Sequence, residues 1–391
     1  MSIFSRSKEK KELILVFSIG TSSVAGAFFQ PQSSGIPKLV FSIEEPIRIE
    51  TSINIERLLF LTTKSLEVVV KKAFSCGLGA PNKIFCVLSS PWNISQSRIV
   101  NYRKNTPFIF TEKLADSLVQ KEIALLEEEY LAKNKGVGNL IRRIELKNIK
   151  TMLNGYEISK PLNQKAKELE MTIFISMSGE LVLKEIEKTI ELHFNQIEIN
   201  FSSFSMAFFT VVRDAYARQE NFLLVDIGGE VTDISMIKKN SLRESTTFPL
   251  GCNFLSRGIS TELGCTLNEA SSLVSLFKDG HAKESANKKL LATMDKLKIS
   301  WLKKFQDSLA NLSNDISIPS TIYIVVDKNL SSFFCETIKA EQFNQYTLTE
   351  SKFKIILLGV ESLHGIVSFE ESVAREPLII VCSSYINRFL I

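Results

Sequence analysis

Apolar residues fall into short runs that switch between strand and helix periods along the whole 391-residue chain. Residues 13–17 (Leu-Ile-Leu-Val-Phe) form a run of strand length, the polar turn Gly20-Thr-Ser-Ser23 breaks it, and residues 24–29 resume it, which predicts an opening β-hairpin. Across residues 55–74, Leu58, Leu59, Leu66, Val69 and Val70 recur at helical spacing, and residues 84–88 follow as a buried strand after Gly77, Gly79 and Pro81. Between about residues 91 and 170 the composition becomes more charged. A helix is predicted there over 111–132, opened by Thr111-Glu-Lys-Leu114, and Asn154-Gly155 marks a turn between two strand-like runs. Strand 171–177, helix 179–195, strand 197–200 and helix 203–218 then alternate, which predicts mixed sheets covered by helices. The apolar tail, 377–391, with one basic residue, predicts a last strand and helix of the fold rather than an amphipathic surface anchor.

Composition narrows the class. With 45% hydrophobic and 23% charged residues, the chain is globular rather than disordered or fibrous, and its length predicts two or three packed units with a cleft between them. Forty-seven basic against 43 acidic residues leave +4, too little for a dedicated nucleic-acid binder. Six cysteines without a CxxC pair and three histidines support neither a zinc site nor a disulfide framework, and suit a reducing cytoplasm. The basic start (Arg6, Lys8, Lys10, Lys11) and Ala25-Gly-Ala27 imitate a secretory signal, but Ser18, Gly20, Thr21, Ser22 and Ser23 interrupt the apolar run, and the hairpin is the competing reading.

Glycine is sparse, so its clusters carry information. In residues 222–237 an apolar strand ends in Asp226, two glycines follow, and Thr232-Asp233 opens a second strand. Gly228 and Gly229 permit close approach to phosphate oxygens, Thr232 offers a hydroxyl, and Asp226 could hold a hydrated magnesium ion; an ordinary tight hairpin with polar ends fits the pattern equally. Leu15-Val-Phe-Ser-Ile-Gly-Thr21 and Leu224-Val-Asp-Ile-Gly-Gly229 are alike, which predicts two related halves facing each other.

Asp226-Ile-Gly-Gly-Glu-Val-Thr-Asp233 resembles the second phosphate loop of the actin-like superfamily, and Phe248-Pro-Leu-Gly-Cys-Asn-Phe-Leu-Ser-Arg-Gly-Ile259 with Leu267-Asn-Glu-Ala-Ser271 resembles the stretch that follows it in the FtsA and PilM branch. Phe17-Ser-Ile-Gly-Thr-Ser22 resembles that branch's first phosphate loop, and residues 144–177 resemble its small 1C subdomain, an SHS2-type insert. The resemblance implies an α/β, bilobed, ribonuclease H-like fold. It implies a first lobe from 1–87, 173–218 and 372–391, the insert at 88–172, a second lobe from 219–262 and 316–371, and a helical 2B-like subdomain at 263–315. It also implies an ATP site at Gly20, Thr21, Ser22, Asp226, Gly228, Gly229, Thr232 and Gly251, with Asp226 toward magnesium.

Four positions depart from the branch's pattern. Ser18 stands for an aspartate, Glu230 for a glycine, Asp327-Lys328-Asn329 for the Gly-Gly of the adenosine loop, and Ser271 for a ribose-side glutamate. The expectation is therefore weak ATP and magnesium binding at most, negligible hydrolysis, and a cytoplasmic adaptor recruited to the inner face of the membrane through protein partners. Residues 278–304 carry eight lysines, among them Lys288, Lys289 and Lys296, where the resemblance places the docking surface for the tail of the tubulin-like protein FtsZ; a solvated helix face is the other reading. Glu127-Glu-Glu129 reads as a solvated face. An FtsA-like division scaffold, a PilM-like pilus assembly protein gripping a membrane partner's cytoplasmic tail, and a working ATP-dependent enzyme are the three functions to separate.

Overall fold

A computed structural model describes residues 12–52, 54–133, 140–278, 284–312, 317–341 and 352–390. The first lobe opens with β1 (Ile14–Ile19), β2 (Ser23–Gln30) and β3 (Lys38–Pro46), and crosses by α1 (Ile55–Ser75) to β4 (Lys83–Leu88). The chain then builds an insert from β5 (Ile94–Ile109), α2 (Glu112–Lys133), β6 (Ile141–Leu153), β7 (Tyr156–Glu157) and β8 (Lys165–Gly179), and returns through α3 (Glu180–Glu191), β9 (Ile199–Ser203) and α4 (Phe204–Ala215). The second lobe runs β10 (Phe222–Ile227), β11 (Thr232–Lys238), β12 (Ser241–Phe248), α5 (Cys252–Leu263), α6 (Leu267–Lys278), α7 (Glu284–Leu312), β13 (Thr321–Val326), α8 (Ser331–Ala340) and β14 (Lys354–Leu357). Last come β15 (Ser368–Phe369) and α9 (Pro377–Asn387).

The two lobes repeat one topology. Their sheets are ordered β3-β2-β1-β4-β9, with β15 added outside β3, and β12-β11-β10-β13-β14; in each, the first three strands form antiparallel hairpins and the last two join in parallel. The similarity between residues 15–21 and 224–229 is therefore that of two β1-type strands at equivalent positions. Helices α4 and α9 lie in the core that joins the lobes, where Phe209 and Ile380 share one apolar cluster with Val16 of the first sheet and Leu224 of the second. Six apolar side chains of α9, from Ile379 to Ile386, are at most 2% exposed. At about 1.5–3 kcal/mol for each large apolar side chain buried, this helix is a principal tie between the lobes. The described tail forms this helix only, without the strand expected before it. Pro377 at the helix start explains the difference, because its fixed φ and missing N–H suit a first helical turn.

Local sequence explains the helix positions. The Asn54 side chain caps α1 by accepting from the Glu56 and Arg57 amides, and the stripe Leu58, Leu61, Leu66, Val69, Val70 and Ala73 packs on the sheet. A Cβ at Gly26 would stand 2.6 Å from Val69 Cγ1, so this glycine sets the helix-to-sheet approach. Gly26 pairs with Phe17 in the opening hairpin, whose strands are core strands, with residues 14–17 of the apolar run inside β1.

The insert has its own four-stranded sheet, β5-β8-β6-β7, with α2 over one face. Asn154 (φ 51°) and Gly155 (φ 84°) make the expected turn between β6 and β7. The insert ends later than the sequence suggests. The strand expected at 171–177 belongs to the insert's β8, which runs to Gly179, and not to the first-lobe sheet. Its alternation is half-hidden because Phe174 and Ser176, on the face away from α2, are also buried against the first lobe. Glu129 of α2, its side chain 43% exposed, forms a surface ion pair with Arg98 at 2.6 Å.

One buried carboxylate joins the insert to the rest. Glu145, at a bulge in β6, accepts from the Ser203 amide (3.0 Å) and hydroxyl (2.8 Å) at the start of α4, and from the Tyr385 hydroxyl of α9. Burial raises its pKa above the ordinary carboxylate value, against the opposing pull of those hydrogen bonds and of Lys147.

Candidate functional site

The β1–β2 and β10–β11 turns meet at the mouth of a cleft between the lobes, about 830 Å³ in volume. Each turn is closed on itself: the Gly20 amide donates to Ser23 O (3.2 Å) and the Gly228 amide to Val231 O (3.0 Å). They also touch each other. The Glu230 amide donates to Thr21 Oγ1 (3.0 Å), and a Cβ at Gly229 would lie 2.5 Å from Thr21 O and 2.8 Å from Ser22 N. Gly229 is thus required for contact between the lobes, a role the sequence pattern assigned to phosphate approach.

Asp226 and Asp233 face each other across the β10–β11 pair and both line the cleft. Burial, and then the charge of Asp233, push the Asp226 carboxyl well above the usual carboxylate range. Burial likewise lifts Asp233 to about 6, although the Thr247 and Ser90 hydroxyls favour its charged form. Among the described residues the cleft lining carries six carboxylates (Glu44, Asp226, Asp233, Asp327, Glu361, Glu376) against Lys328 and Arg375. The turn after β13 holds its own shape, with Asn329 N donating to Asp327 Oδ1 at 2.7 Å, and it lines the same cleft.

Other expected site residues lie elsewhere. Thr232 is fully buried, donates to Leu250 O (2.7 Å) and accepts from Trp301 Nε1 (3.4 Å), so its hydroxyl is spent inside the second-lobe core. Gly251 precedes α5, and a Cβ there would fall 2.4 Å from Gly228 O; it seats that helix under the β10–β11 turn through Cys252 N to Gly228 O and Asn253 N to Gly229 O, each 2.8 Å. Gly20, Thr21, Ser22, Asp226 and Gly228 do converge on the cleft. Ser18 is 2% exposed and lies against the Cys382 thiol of α9. Ser271 pairs with Ser256 between α6 and α5. Glu230 turns away from the cleft: it is 5% exposed and holds Arg257 through two bonds of 2.7 and 2.5 Å, with Asn253 Nδ2 at 2.8 Å. Arg257, Asp233 and Glu145 escaped sequence reasoning. Arg257 is the lone cation of its helix, which is the one local hint of a paired role.

The lysines sit on α7. Lys288, Lys289 and Lys296 are exposed, and Lys296 pairs with Glu262 of α5 at 3.2 Å. Lys283 lies outside the described residues.

A second, apolar crevice of about 300 Å³ opens where the insert hinges on the first lobe, floored by Trp92 and Met177 and walled by Ile55, Leu140 and Leu181. Leu140 and Leu181 are 70% and 54% exposed.

Comparison with known proteins puts this geometry in context. The family model described as Cell division protein FtsA matches residues 223–383, the second lobe with α9. The solved PilM-PilN type IV pilus biogenesis complex has a chain that is 12% identical, covering 96% of this chain and 98% of its own at a TM-score of 0.63. A Bacteroides thetaiotaomicron protein with an actin-like ATPase fold and unknown function is 10% identical over 91% and 93% of the two chains (TM-score 0.40). Ethanolamine utilization protein EutJ from Carboxydothermus hydrogenoformans is 11% identical over 95% and 88% (TM-score 0.42). No curated protein matches the sequence. The chain has the actin-like ATPase fold. The FtsA match is confined to residues 223–383, and the PilM likeness, at 12% identity, is a likeness of fold.

Members of this fold class generally bind ATP with magnesium. Against that ligand the residues fit in part. Asp226 faces the cleft as a metal partner would, and the turns have the right shape. Ser18 of the first lobe carries a hydroxyl and is buried against Cys382, and the cleft lining holds six carboxylates together with the Lys328 and Asn329 side chains. This donor set does not match a magnesium triphosphate, and no reaction step is derived through one.

Proposed function

We propose that the protein is an adaptor of the FtsA/PilM type that works without nucleotide turnover, at the inner face of the membrane, by gripping a short segment of a membrane protein's cytoplasmic tail in the crevice between insert and first lobe. The crevice carries the reading. It is apolar, about 300 Å³, bordered by exposed Leu140 and Leu181, and ringed by Glu56, Glu180 and Lys184 for orienting a peptide backbone or terminus. The PilM likeness supports it, because the solved relative is in complex with PilN, a protein partner. The make-up of the interlobe cleft supports weak or absent ATP binding, since β1 offers a magnesium ion the Ser18 hydroxyl in place of a carboxylate and burial favours the neutral form of the Asp226 carboxyl.

A division role is the second reading, favoured by the FtsA match and by exposed Lys288 and Lys289, which suit an acidic tail. One experiment separates them: photo-crosslinking residues at Leu181 and at Lys289 of the full chain in its own cells. A membrane-protein adduct at Leu181 supports the pilus-type adaptor, and a tubulin-like adduct confined to Lys289 moves the assignment to division. Absence of adducts at both overturns the adaptor. Micromolar Mg-ATP affinity in a calorimetric titration overturns the nucleotide-independent part.

A further inference from the structure

Two lobes that enclose a cleft need something to hold them together across it. We infer that the Glu230–Arg257 ion pair is an internal clamp that keeps the cleft closed with no ligand bound, occupying the structural role that phosphates bridging the two turns would otherwise fill. The inference rests on the proposed nucleotide independence only for its biological meaning; the clamp itself stands on geometry.

Both residues belong to the second lobe and each reaches the first. Arg257 donates Nε–H to the Glu50 carbonyl at 2.7 Å while its two terminal nitrogens hold both carboxylate oxygens of Glu230. The Glu230 amide donates to Thr21 Oγ1 at 3.0 Å. A single pair therefore fixes two first-lobe elements, the β1–β2 turn and the segment that leads into α1. The Glu230 and Arg257 side chains are 5% and 15% exposed, so solvent and salt screen them little. The carboxylate is fully used, by the planar guanidinium fork and by Asn253, which is the condition under which a buried pair fixes geometry instead of merely costing desolvation. Lysine cannot replace arginine here, because an ammonium at the end of a flexible stem lacks the fork that reaches the carboxylate and the Glu50 carbonyl together. Gly229 and Gly251 complete the arrangement by allowing the backbones to touch.

The test is residue-resolved hydrogen exchange on the full chain without nucleotide, comparing wild type with Arg257→Lys and Glu230→Gln. The probe is the Glu230 amide, whose acceptor is in the other lobe, and the reference is the Val225 amide inside β10. The expected result is strong protection of Glu230 in wild type and at least a tenfold loss in both variants, with Val225 unchanged. Small-angle scattering should show the variants more open. Equal protection of Glu230 in wild type and both variants overturns the clamp, as does free exchange of that amide in wild type. Should Val225 also lose protection, the pair would be a general folding element, and the clamp would again be overturned. Adding Mg-ATP separates the two proposals: closure by ATP of the opened variants refutes nucleotide independence while leaving the clamp intact.

Discussion

Replacing Tyr385 with Phe probes the joint between the insert and the C-terminal helix. The hydroxyl of Tyr385 donates to Glu145, whose other oxygen takes the Ser203 amide and hydroxyl, and all three residues are buried. The substitution keeps the ring and its packing against Phe389, so the loss is one hydrogen bond to a charged acceptor, about 1.5–3 kcal/mol. Glu145→Ala removes the acceptor for three donors, each costing roughly 1–3 kcal/mol when left unsatisfied, and leaves a cavity; it also removes a carboxylate whose burial is itself unfavourable. The net expectation is about 2–4 kcal/mol of destabilisation for the alanine variant, with the double variant costing at least about 1 kcal/mol less than the sum of the singles, because each residue's loss includes the other's. Urea unfolding followed by tryptophan fluorescence measures all four proteins, since Trp92 lies at the base of the insert. Additive costs, or a Tyr385→Phe loss below about 0.5 kcal/mol, would refute the joint.

Two further outcomes follow from the cleft. Gly229→Ala should force the turns apart, because its Cβ would meet Thr21 backbone at 2.5 Å, and a loss of about 2 kcal/mol or more in thermal or urea unfolding is expected, against less than about 1 for alanine at Gly359, which has nothing within 4 Å. Asp233 has a folded pKa raised to about 6, so its contribution favours folding below the ordinary carboxylate value and is lost as pH rises through about 6; the stability of Asp233→Asn relative to wild type should therefore increase between about pH 4 and about pH 6.5 and level off above, and a flat difference would show that Asp233 titrates normally.

The parts of the fold set by local pattern were legible in the sequence. The opening hairpin, α1, the glycine turn at Asp226 and the Asn154-Gly155 turn each depend on residues within a few positions of one another, and apolar periodicity with glycine placement is enough to find them. The insert's late boundary was not, because periodicity identifies a strand without naming the sheet it joins, and β8 is covered on both faces over part of its length. Thr232 shows a different failure. Its spacing from the glycines suits a phosphate ligand, yet Trp301, 69 residues away, claims the hydroxyl.

Glu145 and Arg257, two of the residues missed, share one property: their partners are remote. Glu145 meets Ser203 and Tyr385 at separations of 58 and 240 residues, and Arg257 meets the Glu50 carbonyl at 207. Each is a charge that would be unfavourable where it lies without those partners. Glu230 in particular reads in sequence as a carboxylate facing phosphates, and only the position of Arg257 on α5 turns it into a tie between lobes. The same remoteness separates the two candidate sites. Leu140 and Leu181 border a crevice made by the insert and the first lobe alone, whereas Thr21 and Gly229 close a cleft between the lobes. A peptide can therefore enter the crevice without opening the cleft. Coupling between them has at least two routes: Trp92 at the crevice floor donates its indole N–H to Gly20 O of the β1–β2 turn at 2.9 Å, and Glu145 links the insert to α4 and α9, the helices packed between the two lobe sheets.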